Sequence, residues 1–378
     1  MITATWIIIF ILILSVVIFV HELGHFLAAR RAGIFVEEFA LGMGPKLIQF
    51  KGKKPSLAPR DEDEEPEVTL YTLRILPIGG YCKMRGQDED VPEDPEAMNN
   101  KPVRARLLVI AGGSLMNFLL AFVLFFGLIM LRGHSVAEVV HLQQNAPGHL
   151  AGLQVGDRIT HVNGARVGVF EDLLFLLDMS GGQELEVRVN RGGERINLQI
   201  TPAFSDGAWR IGFHAGRRFG LLHDQPADPN IVFQRVSLPG AVVASGETIL
   251  SHIRTPFRLL ARLFTGQQMP DGGGVMGPIG IGEQVVALGQ QAEEYNFGFL
   301  ENLLMILSLT ALLNAALGIM NLLPIPALDG ARLVFLVIEG IRRKPVPPER
   351  EAVVHLVGLV AILALAVFIA YRDIMRIV

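Results

Sequence analysis

His21-Glu22-Leu23-Gly24-His25 is the stretch whose residue types and spacing can do chemistry. On a helix, positions i and i+4 lie one turn apart on the same face. Two imidazoles so placed can hold one metal ion. Glu22, beside them, is free to take a proton from an activated water. Such a short pattern arises by chance in many chains, so its position carries the weight. Residues 1–20 contain no charged side chain, and the pattern therefore falls at the inner end of a membrane-length apolar run. Ionisable groups there are costly to bury and functional by default.

Two histidines leave a catalytic zinc one protein ligand short. His134, His141, His149, His161, His214, His223 and His252 fall in a stretch expected on the outer face. His355 opens the last apolar run and reads as a packing or interfacial residue. Asp329 is the candidate, in Asn321-Leu322-Leu323-Pro324-Ile325-Pro326-Ala327-Leu328-Asp329-Gly330, as the only carboxylate between Glu301 and Glu339. The competing reading is a capping aspartate for a helix starting at Ala331. The prolines interrupt the helix and free backbone groups, with Asn321, to bind a substrate. Asn117, in Ala111-Gly112-Gly113-Ser114-Leu115-Met116-Asn117, reads first as helix packing and second as a contribution to the site.

These residues must be positioned by membrane elements. The 378 residues are 51% hydrophobic and 19% charged, with mean hydropathy +0.42. That is too apolar for a soluble domain and too polar for a bare helical bundle, so a membrane core with a water-exposed insert is expected. A net charge of -4, with no basic aromatic patch, argues against nucleic acid. The single cysteine, Cys82, excludes an intrachain disulfide and a cysteine zinc site and reads as a buried small residue.

Four runs, about 2–25, 106–131, 300–323 and 352–371, reach the roughly 20 residues that cross a bilayer. The chain divides into 1–31, first span; 32–104, inner loop; 105–131, second span; 134–203, β domain; 204–299, connector; 300–330, third span; 331–350, inner helix and loop; and 351–373, fourth span. Lacking a basic leader and a cleavage site, the N-terminus reads as a retained span. Arg30, Arg31, Arg104, Arg106, Arg342, Arg343, Lys344 and Arg350 belong on the cytoplasmic side, although Arg132, Arg372 and Arg376 oppose them. Both termini and the insert then face outward, and the chemistry lies near the cytoplasmic leaflet. In the inner loop, Asp61–Glu67 is a solvated linker between two strand regions, Val36–Phe50 and Val68–Met84. The glycine pair of the second, in Ile78-Gly79-Gly80-Tyr81, lets another backbone approach, so this edge could add a substrate strand.

In the insert, Ala151–Gly164 reads as turn, strand and Asn-Gly hairpin. Phe170–Met179 has a helical pattern, and Glu184–Arg191 and Arg195–Thr201 alternate as strands joined by Gly192-Gly193. The Gly-Leu-x-x-Gly-Asp-x-Ile string resembles a PDZ domain, whose groove takes a peptide chain end, with the Pro147–Leu153 turn expected to face the carboxylate. Gly240–Gly266 is an amphipathic helix suited to membrane lipid or to the PDZ domain. Met276-Gly277-Pro278-Ile279-Gly280 is expected as a tight turn before the third span.

Together, His-Glu-Leu-Gly-His, Asn-x-x-Pro-x-x-x-Leu-Asp-Gly and an intervening PDZ domain resemble the bacterial site-2 proteases of the RseP type, peptidase family M50. The Gly-Gly-Tyr-x-Lys-Met strand, the Gly-x-x-x-Asn opening of the second span and the Gly-Pro-Ile-Gly turn extend the likeness over nearly the whole chain. The resemblance implies a polytopic α-helical membrane protein of the bacterial inner membrane, with four transmembrane helices, a membrane-associated β-hairpin and an inserted extracytoplasmic PDZ domain. It implies that His21, His25 and Asp329 hold Zn2+, that Glu22 is the acid/base and that Asn321 contacts substrate. Pro324, Ile78, Gly79, Gly80, Tyr81 and Asn117 are further substrate-binding candidates. Implied substrates are single-pass membrane proteins, anti-sigma factor-like and pre-trimmed by another protease, or signal-peptide remnants. Only one PDZ string is present, unlike tandem-PDZ members. A membrane adaptor with a structural metal is the competing reading, followed by a metal pathway, which the lack of an inverted repeat disfavours.

Overall fold

The computed structural model describes residues 2–377 except 57–66, 88–90, 92–93, 206, 220, 222–233, 266–277, 345 and 347. Most of the acidic run expected as a linker, 61–66, lies outside the described residues. Two compact units make up the chain, residues 1–121 with 275–378, and residues 122–274.

The first unit opens with α1 (Ile2–Arg31), free of charged side chains as far as Val20. It stops at Gly33, which takes φ 68, a conformation that glycine adopts at no steric cost. β1 (Val36–Pro55) and β2 (Val68–Met84) follow as an antiparallel pair. β2 passes β1 twice: Phe39, Ala40 and Leu41 pair with Tyr71–Leu73 on one side and with Gly80–Cys82 on the other. Gly80–Cys82 therefore has one paired edge and one turned away from β1. Both strand regions expected from sequence are present. α2 (Val103–Arg132) packs its small residues on α1. A Cβ at Gly24 would overlap the Gly112 carbonyl, so the two backbones touch as the small-residue run predicts.

The second unit is built on β3 (His134–Leu142), α3 (Pro147–Leu150), β4 (Arg158–Val162), β5 (Ala165–Arg166), α4 (Phe170–Asp178), β6 (Leu185–Arg191) and β7 (Glu194–Ile200). Asn163 and Gly164 turn between β4 and β5 at φ 49 and 74, the positive pair an Asn-Gly hairpin needs. Gly192 and Gly193 do the same between β6 and β7. Val139, Ile159, Val162, Leu173, Val187 and Val189 form its core. The domain does not end at 203 as expected. A small hairpin, β8 (Ala203–Ser205) and β9 (Ala208–Arg210), returns the chain to β10 (Phe213–Phe219). β10 pairs with β3 from Phe213↔Leu142 to Arg218↔His134, with Ile211 in the core. β11 (Gln234–Arg235) adds to the end of β10.

The Pro147–Leu153 turn, expected to face a carboxylate, spends most of its N–H groups internally. The N–H groups of Gly148, Leu150, Ala151, Gly152 and Leu153 all donate within the domain, Gly148 to the Ile211 carbonyl at 2.8 Å. The expected amphipathic helix is α5 (Leu238–Thr265), docked through Arg258 and Ser251 onto Asp172 of α4, each 2.9 Å from Oδ1.

The chain re-enters the first unit as α6 (Pro278–Glu294). This corrects the expected turn, because Pro278 opens a helix: its fixed φ and missing N–H suit the first helical position. α7 (Phe299–Leu322), α8 (Asp329–Arg342) and α9 (Pro348–Ile377) complete the unit. Among the described residues, three helices are long and apolar enough to cross a membrane, over Ala4–Arg31, Val103–Arg132 and Phe299–Leu322. They match three of the four expected spans; the fourth falls within α9.

Candidate metal centre

α1 carries His21 and His25 on one face, with their Nε2 atoms 3.1 Å apart. The third group arrives from the other end of the chain. Pro324 and Pro326 prevent α7 from continuing, and Ala327 at φ 72 turns the chain into α8. Asp329 is the first residue of α8, and the cap position before it is Leu328. Its carboxylate is therefore not spent on capping. Oδ2 lies 3.1 Å from His21 Nε2 and 3.2 Å from His25 Nε2. Both imidazoles are buried, and the carboxylate is 21% exposed.

This donor set fits zinc. Ligand atoms about 2.0–2.1 Å from a tetrahedral ion stand roughly 3.3 Å from one another, close to the three separations observed. Each imidazole is anchored at its other nitrogen, as a metal ligand requires. His25 Nδ1 donates to the Val109 carbonyl at 2.9 Å. His21 Nδ1 lies 3.3 Å from the Asn117 amide, whose Oδ1 is buried without a partner. Turning that amide over gives the oxygen an N–H to accept and leaves His21 Nε2 as the ligand. Asn117 is fully buried, so its place is behind His21 rather than on a substrate-facing surface. Gly113 supplies the floor, since a Cβ there would come within 2.5 Å of His25 Nε2. Asn321, expected at substrate, has its amide 3.3 Å from His21 Nε2.

A cavity of about 380 Å³ opens beside the triad, lined by Glu22, Tyr81, Cys82, Arg332 and His355 among others. Gly80 lies directly on Glu22: its Cβ would sit 3.3 Å from Glu22 Cγ and 3.0 Å from the Ala40 carbonyl. The Tyr81 hydroxyl donates to Glu38 at 2.7 Å. Gly79 takes φ 90, and Ile78 shares its strand. Burial, with the nearby Glu22 charge, pushes the Cys82 thiol up to about 12, in keeping with an inert packed residue. Pro324 is exposed and does not line the cavity.

His355, read from sequence as a packing residue, lines the cavity instead. It is the one acidic, basic or imidazole side chain between Glu351 and Arg372. As a lone ionisable group in an apolar run, it carries the same signal as Asp329.

Two buried imidazoles and a carboxylate around one point, with a glutamate on the same membrane-length helix, fit a metal-dependent hydrolase. The sequence profile of peptidase family M50 matches residues 9–365, and the chain belongs to that family. It is 29% identical to the zinc metalloprotease RasP of Shouchella clausii, over 97% of this chain and 98% of the relative. It is 32% identical to a Clostridium acetobutylicum protein named provisionally as a zinc metalloprotease, over 97% of each. A probable protease of Enterococcus faecalis, eep, is 26% identical over 98% of this chain and 99% of its own length. This protein is a zinc metalloprotease of the membrane.

Proposed function

We propose that the enzyme is a site-2 protease that cuts transmembrane segments of single-pass proteins in the bacterial inner membrane, near the cytoplasmic leaflet. The observation that carries the proposal is the convergence of Asp329, just past α7, on His21 and His25 near the inner end of α1, 3.1–3.2 Å apart. When bound, zinc supplies Lewis-acid polarisation of the scissile carbonyl and acidifies the attacking water. Glu22 takes that water's proton and hands it to the leaving amine. A transmembrane helix has its carbonyls satisfied internally, so the substrate unwinds first. The 78–84 edge, whose Gly80 lies on Glu22, pairs with the substrate and holds it extended. The exposed apolar residues Met43, Leu47, Phe50, Ile75 and Leu76 of the β1–β2 sheet support placing that sheet in lipid.

In this reading α9 is the fourth span and the β domain is an extracytoplasmic PDZ domain. A chain end adds along β10, because opposite β3 only Arg218 and Phe219 are paired among the described residues. Its place in the chain between the second and third spans supports a role in excluding untrimmed, anti-sigma factor-like substrates with bulky outer portions. Co-expression of wild type or Glu22→Gln with a library of single-pass segments tests the core of the proposal. Inner-leaflet cuts are expected only with wild type; cleavage by Glu22→Gln, or cuts confined to soluble loops, would contradict it.

A further inference from the structure

Among the described residues α9 adds no ligand to the His21, His25 and Asp329 set, yet it grips the segment that delivers one. The chain reverses between α7 and α8 over Leu323–Leu328. Within that turn Ala327 takes φ 72, the left-handed region that a residue with a Cβ occupies only when its surroundings hold it there. The Ala327 N–H donates to His355 Nδ1 at 2.9 Å. Three residues on, Gly358 is pressed against the preceding loop residue, and a Cβ there would overlap Pro326 Cβ. Positions i and i+3 share a helix face, so α9 presents one acceptor and one gap to two consecutive residues of the turn. Glu351 Oε1 stands 3.6 Å from His355 Nε2. That carboxylate favours the proton on Nε2 and leaves the Nδ1 lone pair for Ala327.

We propose that His355 is a positioning residue: by holding Ala327 in its left-handed turn it sets the place of the Asp329 carboxylate, so that α9 governs metal retention without touching the metal. The inference rests on reading Asp329 as a zinc ligand. The loop's own hydrogen bonds, Ile325 N–H to Leu323 O at 2.7 Å and Leu328 N–H to Ile325 O at 3.1 Å, shape it but do not tie it to a neighbouring element. His355 and Gly358 do. Because the ring lines the cavity, loss of this tie moves a wall of the site as well as the ligand.

The test uses the full-length, zinc-loaded protein in detergent, following zinc release to a chelator and hydrogen exchange across residues 323–329. His355→Leu should release zinc about tenfold faster, the lower end of what outer-shell partners contribute, and lose protection at the Ala327 amide. His355→Asn, whose Oδ1 replaces Nδ1 on the same Cγ, should restore both. Gly358→Ala should act like His355→Leu. Equal impairment in His355→Leu and His355→Asn would reduce the residue to packing and overturn the proposal. Asp329→Ala in the same assay separates the two readings. Fast release there with wild-type release in His355→Leu overturns the clasp alone. Unchanged release in Asp329→Ala overturns the ligand assignment, and this inference with it.

Discussion

Asp172 and Asp329 both sit in the first turn of a helix and both are largely hidden from water, but their surroundings are opposite. Asp172 accepts from four donors: the Ser251 hydroxyl, the Arg258 guanidinium and the N–H groups of Gly168 and Val169. Its charge is fully answered within the β domain, and it works as the joint between α4 and α5. Asp329 meets two imidazole nitrogens that are themselves lone-pair sites once their Nδ1 positions carry the protons. Three acceptors then converge on one point, an arrangement that a bound cation completes. One buried aspartate is completed by the protein and the other by what the protein binds, and this contrast separates scaffold from site.

The largest effect should come from the incomplete carboxylate. Asp329→Ala removes one of three protein ligands, so zinc content, read by elemental analysis of purified protein, should fall severely and proteolysis with it. Gly113→Ala comes next. The added methyl would press on both imidazoles, and loss of zinc with an intact helical spectrum is the expected signature; a fully loaded variant would show that the floor can give way.

The complementary change at the completed carboxylate should leave the metal alone. Arg258→Met strips a charge partner from Asp172, whose side chain is wholly buried, and should destabilise the β domain by about 3 kcal/mol. Denaturant unfolding followed at Trp209 would report it, with zinc content unchanged. If zinc content fell as far as in Asp329→Ala, the contrast between the two aspartates would be wrong. The smallest effect is at Cys82. A thiol held near 12 is only about one ten-thousandth thiolate at pH 8. Because burial raises its pKa, alkylation by iodoacetamide should be slow in the folded protein, rise about tenfold per pH unit and become fast on unfolding. Rapid labelling at pH 8 would contradict the burial.

Legibility in the sequence followed the range over which each signal acts. His21, Glu22 and His25 lie within one helical turn, and their pattern needs only a helix to bring them together. The Asn163-Gly164 and Gly192-Gly193 turns are equally local. Asp329 was reachable because charge is rare in an apolar run. The start of α6 was misread because Gly-Pro-Ile-Gly satisfies turn rules and helix-start rules alike. β10 has no local signature, because its partner β3 lies 71 to 84 residues earlier in the sequence, and strand pairing at that distance leaves no local periodicity. For Asn117 the sequence points only to packing or substrate, because nothing in its neighbourhood reveals that the amide meets His21 from another helix. His355 needed the rule that found Asp329, applied to an imidazole whose partner is a backbone N–H and therefore has no sequence signature.

Zinc K-edge absorption on purified wild type and Asp329→Asn reports the central claim most directly. The wild-type edge should show a four-coordinate shell of two imidazole nitrogens and oxygens near 2.0 Å, without sulfur. The variant should lose the carboxylate oxygen or the metal altogether. A shell identical in the two proteins would mean that the ion does not join α1 to α8, and the account of the site would fall.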